Sequence, residues 1–127
     1  MDYRRLGLVV AEMLDIGYTN EWISYLMDIY KVPDNYERPD PYQSKYLFCK
    51  ELFEELSSDY ENREIIVDIA NYIIRSERFD KRLEEAARKH LPIFKDLAIK
   101  SGLTDSYEIN NRSAYNLDFA LYPIEFL

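Results

Sequence analysis

Apolar side chains recur every three or four residues along most of the chain between Tyr3 and Ser101. This spacing places them along one side of an α-helix, whereas a half-buried strand would show strict alternation. The chain has 127 residues and only 3 glycines, so the tight turns of a many-stranded β fold are scarce. The sequence therefore predicts an all-α fold, a compact bundle of about six helices, in a single domain over residues 1–127.

Caps and helix stops divide this pattern into six predicted helices. The fourth is apolar over more than half of its circumference and is expected to be the most buried. We expect sequential packing, with the first helix against the second, the third against the fourth and the fifth against the sixth. The predicted segments are about residues 3–16, 20–31, 42–56, 58–75, 77–91 and 92–101.

Particular residues mark the ends of these segments. Gly17 and Gly102 follow apolar helical stretches and are predicted to stop them. Ser58 and Glu61 have the spacing of a capping box, which predicts the start of the fourth helix. Pro92 suits the first turn of a helix, because its missing N–H is not needed there. It therefore predicts a boundary between the fifth and sixth helices.

The C-terminal stretch of about 103–127 is more ambiguous. Tyr115, Leu117, Phe119 and Leu121 alternate with other residues, as in a strand, although a short helix is the other interpretation. Large apolar residues this late in the chain favour an irregular or short-strand tail that packs on the body.

The composition indicates in which cellular compartment the protein is found and which kinds of partner it binds. The single cysteine cannot form an internal disulfide, and no apolar run approaches the length of a membrane span. We therefore expect a cytoplasmic protein without membrane contact. The net charge is −8, and residues 1–64 carry 14 acids against 7 bases. Such a chain is repelled by phosphate backbones, so we expect no direct nucleic-acid binding and a preference for basic protein partners. The alternative is that the charge serves only solubility.

Residues that could carry catalysis or bind a metal stand in unfavourable contexts. His90 and Cys49 both lie on apolar helix stripes, which favours structural roles over an acid–base or nucleophilic one. The acidic residues show no metal-ligand motif, and 3 glycines cannot form a phosphate-binding loop. Residues 75–100 mix 8 bases with 5 acids, which predicts a solvated face with ion pairs. We expect no enzyme activity, metal or cofactor.

Tyrosine is the most unusual component, with 12 residues. Its large rigid ring and its hydroxyl favour protein interfaces, although many tyrosines simply fill a core. Interface and core are equally open for the tyrosines in polar stretches, whereas those on helix stripes are expected in the core. The first group is Tyr18, Tyr36, Tyr60 and Tyr107, and the second includes Tyr46 and Tyr72.

A proline-containing loop at about 32–41 precedes the acidic side of the third helix. Loops of this length often carry function, and three prolines disfavour helix within it. Together with the turn that follows the third helix, this region gives the predicted partner-binding residues. They are Asp34, Tyr36, Glu37, Asp40, Glu51, Glu54, Glu55, Asp59, Tyr60 and Glu61.

These features predict a non-enzymatic, acidic protein-binding module. We expect a stoichiometric inhibitor that occludes a basic, nucleic-acid-handling protein, by analogy with small acidic immunity-type and phage anti-defence-type inhibitors. The alternative is a regulatory or scaffold domain that docks in an assembly or forms a homodimer through its apolar C-terminal end.

Overall fold

The structure is a computed structural model that describes residues 1–103, and its regular secondary structure over that range is entirely α-helical. The all-α prediction is confirmed for this part of the chain. The predicted C-terminal tail and Tyr107 lie outside the described residues. The helices are α1 (Tyr3–Gly17), α2 (Asn20–Ile29), α3 (Lys45–Ser58), α4 (Glu64–Ser76) and α5 (Glu84–Lys100).

Side-chain caps fix the starts of the first three helices. Asp2, Thr19 and Ser44 accept hydrogen bonds from the backbone N–H three residues later, at 3.0, 3.2 and 3.3 Å. Each cap provides an acceptor for one backbone donor that has no partner inside the helix. Either Thr19 or Asn20 suits the cap of the second helix by sequence, and the structure has Thr19 in that position, whereas α3 begins three residues after the predicted start at Tyr42.

The predicted capping box at Ser58 and Glu61 is wrong. Ser58 is the last residue of α3, and α4 begins at Glu64 without a side-chain cap. Asp59 organises the intervening turn, because its carboxylate accepts hydrogen bonds from the Glu61 N–H at 3.2 Å and from Asn62 Nδ2 at 2.8 Å. An aspartate binds its own following backbone readily, so the turn forms around Asp59.

The predicted boundary at Pro92 is also wrong, because α5 continues through this proline. The predicted fifth and sixth segments therefore form one helix, which starts at Glu84 after a loop, and residues 1–103 contain five helices. Pro92 is exposed, so the backbone carbonyl that loses a donor faces solvent. The buried residues keep one helical phase across the proline. They are Ala87, Leu91, Phe94 and Ala98.

The glycines at the two helix ends act differently. Gly102 has a left-handed φ of 106° directly after α5, as expected of a helix stop, and the N–H of Asp2 donates to the Ser101 carbonyl at 2.8 Å. Gly17 is instead the last residue of α1, and a Cβ there would lie 3.0 Å from the Cβ of Ala87. Gly17 therefore permits the close approach of α5, which is a packing role.

Helix α1 lies at the centre of the fold. It packs most extensively against α3 and then α5, with a smaller contact to α4. The predicted pairing of the first helix with the second is therefore wrong. Helix α4 has the largest buried fraction, with 8 of its 13 residues buried against 8 of 15 in α1. The prediction for the fourth helix is confirmed in that respect, although α1 is the helix that joins the others.

An aromatic cluster fills the space beside α2. The ring of Tyr18 is fully buried and meets Trp22 and Phe79 edge to face, with centroids 5.2 and 5.7 Å apart. Trp22 Nε1 donates a hydrogen bond to the Tyr72 hydroxyl at 3.3 Å. Tyr72 is a core residue, as expected. Tyr18 is also a core residue, so it takes no part in a surface for a partner.

Candidate functional site

The loop between α2 and α3 is fixed by the guanidinium of Arg38. Its Nε and Nη2 donate to Asp28 Oδ1 at 3.2 and 3.1 Å. Its Nη1 donates to the Tyr36 carbonyl and its Nη2 to the Val32 carbonyl, both at 2.9 Å. Arginine suits this position because its planar group holds five donors in a rigid arrangement. These hydrogen bonds therefore hold the proline loop in one conformation, so it is not a loose linker.

Tyr36 ties this loop to the turn after α3. Its hydroxyl donates a hydrogen bond to Asp59 Oδ2 at 2.8 Å. Burial, followed by this hydrogen bond, raises the pKa of Tyr36 to about 12. The hydrogen bonds from Asn62 and then from Tyr36 lower the pKa of the Asp59 carboxyl. Asp59 is thus ionised at neutral pH and serves as a fixed acceptor.

A groove of about 330 Å³ lies between the loop and α3. Its apolar part comes from Phe48 and Leu52, which are buried residues of α3. The amide side chains of Asn35 and Gln43 line it as well. Three carboxylates and a tyrosine complete the lining, namely Glu37, Glu51, Glu55 and Tyr36.

The groove carboxylates have no cationic partner of their own. Glu37, Glu51 and Glu55 are exposed and form no ion pair within residues 1–103. The neighbouring Glu54, by contrast, pairs with Arg4 across α1 and α3 at 3.5 Å. Three negative charges therefore line this groove beside Phe48 and Leu52, without a cationic partner within residues 1–103.

The predicted partner-binding residues divide into two groups. Tyr36, Glu37, Glu51 and Glu55 line the groove, and Asp59 supports it through Tyr36. The remaining predicted residues lie outside its lining. The Asp40 carboxylate accepts a hydrogen bond from the Tyr42 N–H at 2.9 Å. Tyr60 is 80% exposed, and the Arg63 guanidinium lies 4.2 Å from its ring centroid. This outer group is Asp34, Asp40, Glu54, Tyr60 and Glu61.

Three exposed apolar residues around the start of α3 were not among the predicted contacts. Tyr42, Tyr46 and Leu47 are 97%, 48% and 47% exposed. The sequence placed Tyr46 on the buried stripe of the third helix, but the buried stripe begins at Phe48. Leu47 precedes Glu51 by four residues and so lies on the same helix face. A helical wheel centred on Phe48 would have revealed that Leu47 lies on the side of Glu51, whereas Tyr46 lies nearly opposite.

Cys49 and His90, the residues considered for nucleophilic or acid–base chemistry, both lie where helices pack together. Cys49 is buried, and burial raises its pKa to about 12, which suppresses thiolate chemistry. His90 Nε2 lies 4.0 Å from Glu12 Oε1 between α5 and α1. The described part of the chain has no cluster of three or more His, Cys, Asp or Glu placed to hold a metal ion. Over the same range, no helix has the length and apolarity to cross a membrane.

A second, larger depression of about 720 Å³ lies beside the loop that precedes α5. Trp22 and Phe79 line it, together with acidic and basic residues of the 77–88 segment. The charges compensate each other, because Arg82 pairs with Asp80 at 3.2 Å and Arg88 with Glu84 at 2.8 Å. The expectation of a salt-bridged surface in this region is confirmed, and no uncompensated charge of one sign marks it as a site.

Comparison of the chain with protein-family models, curated proteins and solved structures gives no significant match.

Proposed function

We propose that this protein binds a basic surface of another protein through the groove between the proline loop and α3. One observation carries the proposal. Glu37, Glu51 and Glu55 are unpaired within residues 1–103 and line one depression together with Phe48 and Leu52, and the exposed Leu47 lies one turn before Glu51. Protein interfaces combine these elements, because apolar and aromatic residues supply buried contact area while charges select and orient the partner.

The charge pattern favours a partner that itself binds nucleic acid. Such proteins carry Lys and Arg where they hold phosphates, so their working surface is complementary to an acidic groove. A protein docked there blocks access of the nucleic acid. The proposed role is therefore a stoichiometric inhibitor, of the immunity or anti-defence type, rather than an enzyme.

Capture from cells of the native host, followed by purification of the captured partner, provides the test. Association of the two proteins is then measured by stopped flow over a range of salt concentrations. Reversal of two groove charges, Glu51→Lys with Glu55→Lys, is expected to lower the association rate at low salt by about tenfold or more. The wild-type rate is expected to fall steeply as salt rises.

A matched variant controls for the overall change of charge. Glu21→Lys with Glu61→Lys alters the net charge equally, but these two exposed residues lie outside the groove lining. It is expected to retain most of the wild-type rate. Equal losses in both double variants, or an association rate that ignores salt, would refute the groove as the binding site.

A further inference from the structure

We infer that the groove receives a single arginine side chain from the partner, flanked in the partner by an apolar residue. This inference rests on the proposed function and specifies what the groove recognises. A volume of about 330 Å³ is at the small end of ligand pockets, which span about 300–1,000 Å³. It suits one long side chain with its local backbone.

The lining separates apolar from charged contacts, as an arginine requires. Phe48 and Leu52 are largely buried but present a small apolar surface in the groove, against which methylene groups of the side chain can pack. The carboxylates of Glu37, Glu51 and Glu55 provide acceptors for its head group. A purely hydrophobic insert would leave these charges facing apolar atoms, and desolvating them without a partner would be unfavourable.

The arrangement of the acceptors favours arginine over lysine. Glu51 and Glu55 are one helical turn apart on the same face of α3, and Glu37 approaches from the loop. A guanidinium has five donors in a plane and can bind more than one carboxylate at once, whereas an ammonium concentrates its charge at one point. The nearby Tyr36 ring also suits a stacked guanidinium.

The surroundings specify the neighbour of that arginine. Leu47 is about half exposed one turn before Glu51 on α3. An apolar side chain adjacent to the inserted arginine would cover Leu47. The loop wall is already held by Arg38 and by the Tyr36–Asp59 hydrogen bond, so little ordering is needed on binding.

A small probe tests the chemistry without the partner. Nitrogen-15 labelled full-length protein is titrated with N-acetyl-arginine methylamide, with the lysine analogue and with the neutral citrulline analogue. The arginine probe is expected to shift the amide signals of residues 35–37 and 47–55 at millimolar concentration, more strongly than lysine, and citrulline is expected to leave them unchanged. Equal shifts by arginine and lysine, or shifts spread over distant acids such as Glu21 and Glu85, overturn the inference.

A variant that fills the groove separates the inference from the proposed function. Gln43→Trp adds bulk to the lining but retains every carboxylate. If one arginine is inserted, this variant raises the dissociation constant for the captured partner by about tenfold or more, as does Glu51→Gln with Glu55→Gln. If the filled groove binds the partner normally while loss of the two charges weakens binding, insertion is refuted and the acidic surface remains. If neither change matters, both proposals fail.

Discussion

Arg38 is the residue on which the shape of the groove depends most directly. Its guanidinium contacts the end of α2 through Asp28 and three carbonyls of its own loop, including those of Val32 and Tyr36. Its side chain is only 28% exposed, so these hydrogen bonds are partly shielded from water. Removing the guanidinium would leave several acceptors without their donor at once.

We expect Arg38→Ala to lower the free energy of unfolding by about 1.5–3 kcal/mol, the range for hydrogen bonds to charged groups. Urea denaturation would measure this loss, and faster amide exchange confined to residues 32–41 would locate it. Arg4→Ala is the control, because Arg4 is 75% exposed and makes one ion pair at 3.5 Å. A cost for Arg38→Ala as small as the control's, under about 1 kcal/mol, would contradict the assigned role.

The Tyr36–Asp59 pair gives a prediction about pH. The folded pKa of Asp59 is lowered, so its hydrogen bonds stabilise the fold above the ordinary carboxyl pKa and lose that effect as pH falls through the folded value. In Tyr36→Phe, we expect the Asp59 pKa to move part of the way back towards about 3.9, since the Asn62 hydrogen bond remains.

Carbon-13 NMR titration of the Asp59 carboxyl would measure this change. Tyr60→Phe also removes a hydroxyl, from an exposed neighbour, and is expected to leave the Asp59 pKa as in the wild type. An unchanged value in Tyr36→Phe would mean that the hydrogen bond at 2.8 Å does not persist in solution.

Individual site residues were only partly predictable. Tyr36, Glu37, Glu51 and Glu55 could be selected because local composition marked an acidic helix beside a proline loop. Arg38 was missed, since its importance comes from carbonyls that converge only once the loop has folded. No local pattern in the sequence encodes that convergence.

At the level of elements, α5 shows how one residue can mislead a sequence-based prediction. Proline is favoured at helix starts, so Pro92 indicated a new helix. The spacing of Ala87, Leu91 and Phe94 keeps one buried phase across it, and this tertiary packing outweighs the lost hydrogen bond. The helical character of each segment was predictable, whereas this boundary depended on burial.

We therefore expect Pro92→Ala to stabilise the protein, by about 1–3 kcal/mol, because alanine restores an N–H donor to the carbonyl of Arg88. Thermal and urea denaturation would detect the gain. Ile93→Ala, at the next exposed position, keeps the donor count unchanged and should give no comparable increase. A Pro92→Ala protein of equal or lower stability would show that α5 is already relaxed around the proline.

For the whole molecule, the position of α1 between α3 and α5 determines which helices pack against one another in the core. Pairing of this kind cannot be predicted from one sequence, because it depends on which apolar faces fit together. The amphipathic pattern of α1 identified its buried side but not its neighbours. The 15-residue connection from Tyr30 to Ser44, with α2 before it, lets α3 return to α1.

Leu14 tests this central role. It is fully buried in α1, and Leu14→Ala is expected to lower the free energy of unfolding by about 2–5 kcal/mol through lost contacts and a residual cavity. Circular dichroism and tryptophan fluorescence should report the same unfolding transition, shifted to lower stability. The two probes should agree because α1 belongs to one cooperative core. Leu47→Ala, on the exposed side of α3, is the control and should change stability by about 0.5 kcal/mol or less. Two separate transitions in Leu14→Ala would contradict a single cooperative core.

Because Cys49 is buried, the rate at which its thiol is labelled measures how often the fold opens. It is the single cysteine of the chain, and its thiol reacts only when α3 moves away from its neighbours. With a disulfide reagent at pH 8, labelling should be slower than in an unfolded peptide by the opening equilibrium, roughly a thousandfold or more for a stable domain. If Cys49 becomes accessible only by global unfolding, Leu14→Ala should increase the labelling rate by the factor that its lost free energy of unfolding implies. An unchanged labelling rate would mean that Cys49 becomes accessible by local opening beside α3.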